Sequence, residues 1–185
     1  MNVIDIHHNG DHIKLAKWLL FAAAVIQGVL LSSLAWGADE QGDKGYQFPK
    51  AADFSLFDAN GKQWSLESTA GKPVVIHFWA TWCPYCKKLQ PGLERLRQTY
   101  QDTDLEMVAI SFREDKGAQP QSVLKSRGIE MQTLINGDSV ADLYGVKGTP
   151  TTVFVNRSGE VVWVTQVSDP DSPKLAQAIE YILTP

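Results

Sequence analysis

The chain has 185 residues, with 17 basic and 21 acidic side chains for a formal charge of −4, and 44% of its residues are hydrophobic. That size suits one domain plus a short extra segment, and the mild acidity gives no reason to expect nucleic acid or an anionic membrane surface as a partner. There are two cysteines, Cys83 and Cys86, which excludes a structural disulfide beside that pair and a four-cysteine zinc site within one chain.

In chain order, a polar start ends at Lys14 and Lys17, and an apolar block runs from Trp18 to Trp36. The small residues Ala35, Gly37 and Ala38 close it. Positive residues, an apolar stretch and small residues in that order read as a secretory signal cut near Ala35–Ala38. The block also approaches the ~20 residues that span a bilayer, so an uncleaved N-terminal membrane anchor is the competing reading. Under either reading residues 1–37 are a targeting segment. The lysines before the block place the remainder in the periplasm or on the extracytoplasmic face of the inner membrane. His7, His8 and His12 belong to this leader and are read as unstructured rather than as a metal site. Residues 38–50 are rich in Gly, Asp, Lys and Gln, with no apolar period, and read as a linker to a domain at 51–185.

The domain opens with a candidate hairpin, Phe54–Phe57 and Gln63–Leu66 around the turn Asp58-Ala59-Asn60-Gly61. Val74–Trp79 is an apolar, β-branched run suited to a buried strand. After Cys83-Pro84-Tyr85-Cys86, the residues Leu89, Leu93, Leu96 and Tyr100 recur at helical steps between charged residues. Leu105–Phe112 is a second strand, and Gln121–Arg127 a helix stopped by Gly128. Met131–Ile135 is a short strand, and Ser139–Tyr144 a short helix stopped by Gly145. Thr151–Val155 and Glu160–Gln166 form an antiparallel hairpin across Asn156-Arg157-Ser158-Gly159. Ser172–Leu183 closes the chain as a helix with Leu175, Ile179 and Ile182 on one face. Strands alternating with helices, then a hairpin and a last helix, predict an α/β fold with helices flanking a mixed central sheet.

The two cysteines therefore sit where a strand hands over to a helix. At a helix start, unpaired N–H groups and the positive end of the helix dipole favour a thiolate at Cys83. Pro84 suits the first helical position, because its missing N–H would be unpaired there anyway. Cys86, one turn on and less exposed, is placed to attack a mixed disulfide formed at Cys83. Nucleophile first and resolver second is the logic of dithiol–disulfide exchange with protein substrates, and it needs no organic cofactor and no metal. The blander reading is two inert buried thiols or half of an intermolecular metal site. A periplasmic copper-handling or chaperone-like binding module, using the thiols for capture, is the alternative function, and anaerobic titration with Cu(I) separates the two.

The stretch Phe78-Trp79-Ala80-Thr81-Trp82-Cys83-Pro84-Tyr85-Cys86 resembles the active-site strand–helix junction of the thioredoxin superfamily. Pro91 matches the proline in that family's active-site helix, and Gly148-Thr149-Pro150-Thr151 before Val153–Val155 resembles its cis-proline loop. The resemblance covers roughly residues 51–183 and implies a thioredoxin fold. It also implies a cis bond between Thr149 and Pro150, and a loop there that pairs with a substrate segment beside the CxxC. The hairpin and the turn Leu66–Lys72, together with the leader, resemble the exported TlpA-like branch, so the hairpin is expected as an N-terminal extension.

That branch implies a reductant that is itself kept reduced by a membrane redox partner. Pro84–Tyr85 is similar to the glutaredoxin dipeptide and pulls toward a more oxidising pair. His77 stands where thioredoxin has a buried Asp that moves protons for the second cysteine; it either accepts the Cys86 proton or fills space while hydrogen-bonded. Leu89 departs from the Glu that many relatives serving cytochrome c maturation carry at that position. Trp79 and Trp82 are read as packing residues, Trp82 also as an apolar rim for partners. Peroxiredoxins share the fold, but their Pro-x-x-x-Thr-x-x-Cys pattern is absent. With no added dimerisation segment in view, a monomer is expected.

Overall fold

The computed structural model describes residues 47–185; the expected leader and the linker as far as residue 46 lie outside the described residues. The domain is built on a five-stranded sheet in the order β5-β4-β3-β6-β7, with a separate two-stranded sheet, β1-β2, at its N-terminal side. β1 (Ser55–Phe57) and β2 (Gln63–Ser65) pair antiparallel, Leu56 opposite Trp64. Their turn is set by Asp58, whose Oδ1 accepts the N–H groups of Asn60 and Lys62 at 2.8 and 2.9 Å. Gly61 follows at φ 77°, a conformation that costs glycine little because it has no Cβ. A single 3-10 turn, Glu67–Thr69, leads into the main sheet.

β3 (Val74–Trp79) is buried along its whole length. It pairs parallel with β4 (Glu106–Ser111) and antiparallel with β6 (Thr151–Val155). Alternation along β3 sends Val75 and Trp79 to one core, and Val74, Ile76 and Phe78 to the other. The first core is closed by α1 (Pro84–Thr99), α2 (Pro120–Ser126) and α4 (Pro173–Leu183), through Leu89, Leu93, Leu124, Leu175, Ile179 and Ile182. The second is closed by α3 (Asp138–Leu143) and by Phe54 and Leu66 of the hairpin region. β5 (Gln132–Leu134) runs parallel to β4 at one edge, and β7 (Val161–Thr165) antiparallel to β6 at the other.

The expected elements all appear, with ends shifted by one or two residues. α1, α2 and α4 each place proline in the first turn, where the absent N–H costs nothing. Gly92 in α1 lies so close to the loop before α4 that a Cβ there would collide with the Pro170 carbonyl oxygen. The last residues of the expected linker lie against the domain. Pro49 accepts the Val161 N–H, Lys50 bridges to Glu160, and Phe48 packs edge-on against Tyr181. Among the described residues no helix is long and apolar enough to cross a membrane.

Candidate active site

Cys83 is the residue that caps α1 at its N-terminus. Its extended backbone (φ −79°, ψ 111°) turns the chain from the β3 exit into the helix, while its carbonyl accepts the Lys87 N–H at 3.2 Å. Its sulfur accepts the Cys86 N–H at 3.0 Å, the place a capping Ser or Asp oxygen would occupy. The Cys86 N–H thus points at Cys83 Sγ, and a negative charge on that sulfur is favoured there by the helix dipole as well. Cys83 and Cys86 are joined as a disulfide with Cα atoms 5.3 Å apart. Both are almost fully buried, Cys86 completely. The two residues between them are exposed, Tyr85 at 62%. Trp82, just before Cys83, is 52% exposed, and its Nε1 donates to the Arg113 carbonyl at 2.8 Å.

The Thr149–Pro150 bond is cis. Thr151, the next residue, pairs with Phe78, so the loop ends beside the end of β3 from which the CxxC turn departs. Thr151 Oγ1 closes that loop on the Gly148 carbonyl at 2.7 Å. Leu89 is wholly buried and apolar, so this position brings no carboxylate to the cysteines.

His77 lies between Val75 and Trp79 on the β3 face that α1 covers. It is completely buried, and its Nδ1 meets Thr152 Oγ1 at 3.2 Å. Burial pushes its pKa down to about 3. An imidazolium is costly in that setting, so at neutral pH His77 is a neutral side chain. Its Nε2 is buried without a hydrogen-bond partner among the described residues. Trp79 packs in the same core as expected and donates Nε1–H to Thr133 Oγ1 at 3.0 Å.

Glu114 and Arg127 were not singled out by sequence reasoning, yet they hold the residue two before Cys83 from both sides. Glu114 accepts the Thr81 N–H at 2.9 Å and its hydroxyl at 2.5 Å. Arg127 donates to the Thr81 carbonyl at 3.1 Å and to Gln90 Oε1 of α1 at 2.7 Å, with its guanidinium over the Trp79 ring. Burial raises the Glu114 pKa despite those hydrogen bonds, and burial lowers that of Arg127. The partners are 33 and 46 residues apart in the chain, so no local pattern announces them. The one available signal was a charged residue just past the C-terminal end of a parallel strand, where functional loops gather in open α/β sheets.

The model of the AhpC/TSA family matches residues 49–164, more than half of the chain. The chain belongs to the AhpC/TSA family. Its thioredoxin-like character is shared with the thioredoxin-like protein YneN of Bacillus subtilis, 31% identical over 80% of this chain and 88% of that protein. The thiol-disulfide oxidoreductase ResA of the same organism is 36% identical over 62% of this chain. Alignment with the ResA proteins of Halalkalibacterium halodurans and B. subtilis spans 65% and 64% of their lengths. Among solved structures, a Chlorobium tepidum protein assigned as the thiol:disulfide interchange protein DsbE superposes with a TM-score of 0.65 at 27% identity. That match covers 75% of this chain and 99% of the other. The expected thioredoxin fold is therefore the fold of this AhpC/TSA family member, hairpin extension included.

Proposed function

We propose that this chain is an exported thiol–disulfide oxidoreductase acting on protein thiols and disulfides, with Cys83 as nucleophile and Cys86 as resolver. The observation that carries this is the Cys83–Cys86 pair at the start of α1, with the Cys86 N–H directed at Cys83 Sγ. The names of the ResA and DsbE relatives support the same chemistry. In the reducing direction the Cys83 thiolate attacks one sulfur of a substrate disulfide, and the other sulfur leaves as a thiolate. Cys86 then attacks Cys83 Sγ, releasing the second substrate sulfur, and its proton passes to a departing thiolate. The substrate gains the two electrons that the Cys83–Cys86 dithiol loses.

Export is supported by Lys14 and Lys17 before the apolar block Trp18–Trp36. In this reading residues 1–37 are the leader or anchor, and the domain works at the outer face of the inner membrane or in the periplasm. A protein there has no direct access to cytoplasmic reductant, so a membrane dithiol donor restores the reduced pair. Trp82 and Tyr85 form the rim a partner meets, Pro84 starts the helix beneath it, and the loop at Thr149–Pro150 borders it. His77 supports β3 from below as a neutral side chain.

The test is exchange activity and reduction potential together. Cys83→Ser must abolish disulfide exchange, and Cys86→Ser must accumulate a mixed disulfide with substrate; exchange that survives Cys83→Ser sinks the proposal. Equilibration with a thiol buffer then sets the direction. A potential near thioredoxin's, about −270 mV, fits the reductant proposed here, whereas one near about −120 mV makes the chain a disulfide donor.

A further inference from the structure

Arg113 has a backbone conformation that few side chains adopt. Its φ is 53°, in the left-handed region, and among the described residues only Asn136 shares this without being glycine. Three other segments hold it there. Asp138 Oδ1 accepts its N–H at 3.0 Å, and its carbonyl accepts Trp82 Nε1 at 2.8 Å. Its guanidinium donates to the Lys147 carbonyl at 3.3 Å and lies over the Phe112 ring, 5.3 Å from its centre. An outlier fixed from several sides points to a use for the side chain it carries.

The place of Arg113 suggests that use. Trp82 directly precedes Cys83, and Lys147 stands three residues before the cis Pro150, so Arg113 links the loop at the nucleophile to the loop that borders it. Both Arg113 and Lys147 are exposed, and among the described residues neither forms an ion pair. Glu114 and Asp138 keep their charge but are engaged away from the two cationic heads, Glu114 with the N–H and hydroxyl of Thr81 and Asp138 with the Arg113 N–H. Exposed Asp115 and Lys116 offset each other in charge. Arg113 and Lys147 thus present two unpaired cationic heads at the loops that flank Cys83.

We infer that Arg113 and Lys147 form a cationic lip at the mouth of the thiol site and select partner proteins that carry an acidic side chain next to the exchanging cysteine. This rests on the thiol-exchange reading above. Complementary charge at a docking edge raises the encounter rate and excludes partners of like charge, and salt weakens it.

The experiment uses the reduced full-length chain in detergent micelles and three synthetic peptides, each with one cysteine as a mixed disulfide with 2-mercaptoethanol. The peptides differ only in the residue after the cysteine, which is Glu, Gln or Lys. Rates of peptide reduction are followed by stopped-flow tryptophan fluorescence and checked by mass spectrometry. At low salt the Glu peptide should react about 10-fold faster than the Lys peptide, and 1 M salt should bring that ratio close to one. Arg113→Gly, which relieves the backbone while removing the charge, and Lys147→Gln should each lower the ratio at least about 3-fold. Lys174→Gln, which removes one charge from α4, should leave the ratio where it was. A ratio near one in the wild-type chain at low salt, or a ratio that survives Arg113→Gly, overturns the inference. If the Gln peptide is not reduced at all, the thiol-exchange reading falls, and the inference with it; if it is reduced without discrimination, only the inference falls.

Discussion

Replacing His77 with asparagine tests the reading of that residue as a neutral buried group. Burial brings the imidazole down to about 3, from an ordinary value of 6.5. Below pH 6.5 the unfolded chain binds a proton that the folded chain refuses until about pH 3. The stability this group contributes is therefore complete above pH 6.5 and is lost as pH falls toward 3. The loss approaches about 1.4 kcal/mol per pH unit and sums to about 2 kcal/mol between pH 7.5 and 5.0. Asparagine does not titrate, and it keeps a polar atom near Thr152 Oγ1. Urea unfolding of the oxidised wild type and of His77→Asn, each at both pH values, gives two losses. The wild-type loss should be the larger by about 2 kcal/mol. Contributions from the carboxylates are common to both proteins and cancel in the comparison. Equal losses would refute the reasoning, because they would mean that the folded chain accepts the proton well above pH 3.

Gly92→Ala drives a Cβ against the Pro170 carbonyl, a backbone atom that cannot swing aside, and should cost about 1–3 kcal/mol in urea unfolding. Arg127→Gln removes the charged donor to the Thr81 carbonyl and Gln90 Oε1; a loss of about 1.5–3 kcal/mol is expected from the same measurement, and a loss below about 0.5 kcal/mol would show that the brace contributes little. Leu175→Ala opens a cavity where α4 meets the sheet and should cost about 2–5 kcal/mol, with the spread set by how far α4 can settle.

Much of the architecture could be read from local patterns. The apolar run Val74–Trp79, the helical spacing of Leu89 and Leu93, the turns at Asn60-Gly61 and Ser158-Gly159, and the stops at Gly128 and Gly145 are all short-range chemistry. Each appeared in place. Cys83 at the start of α1 followed from the same logic, since Pro84 suits the first helical position and the residue before it opens the helix. What stayed hidden was long-range. Nothing near Thr81 says that Glu114 and Arg127 will grip its peptide group, because their approach depends on how β4 and α2 pack beside β3. The His77 position was legible but its protonation was not, since alternation along β3 gives the face and only the packed core gives the depth of burial. Arg113 escaped for a different reason. Its left-handed backbone sits at a position where residue type would have suggested ordinary loop.

The segment from Phe48 to Leu66 touches both margins of the main sheet. Its start pairs with Glu160 and Val161 at the β7 edge. Its hairpin turn bridges Asp58 to Leu134 and passes the Ile135 N–H to Phe57 at the β5 edge, while Phe54 and Leu66 fill the core between. An open sheet has two rows of backbone groups able to recruit strands from other molecules, and here one stretch of chain occupies part of each row. The extension should therefore limit self-association as well as complete the fold. Trimming the domain to begin at β3 would bare two edges and an apolar face together, and the product of such a cut should be aggregates rather than a smaller thioredoxin.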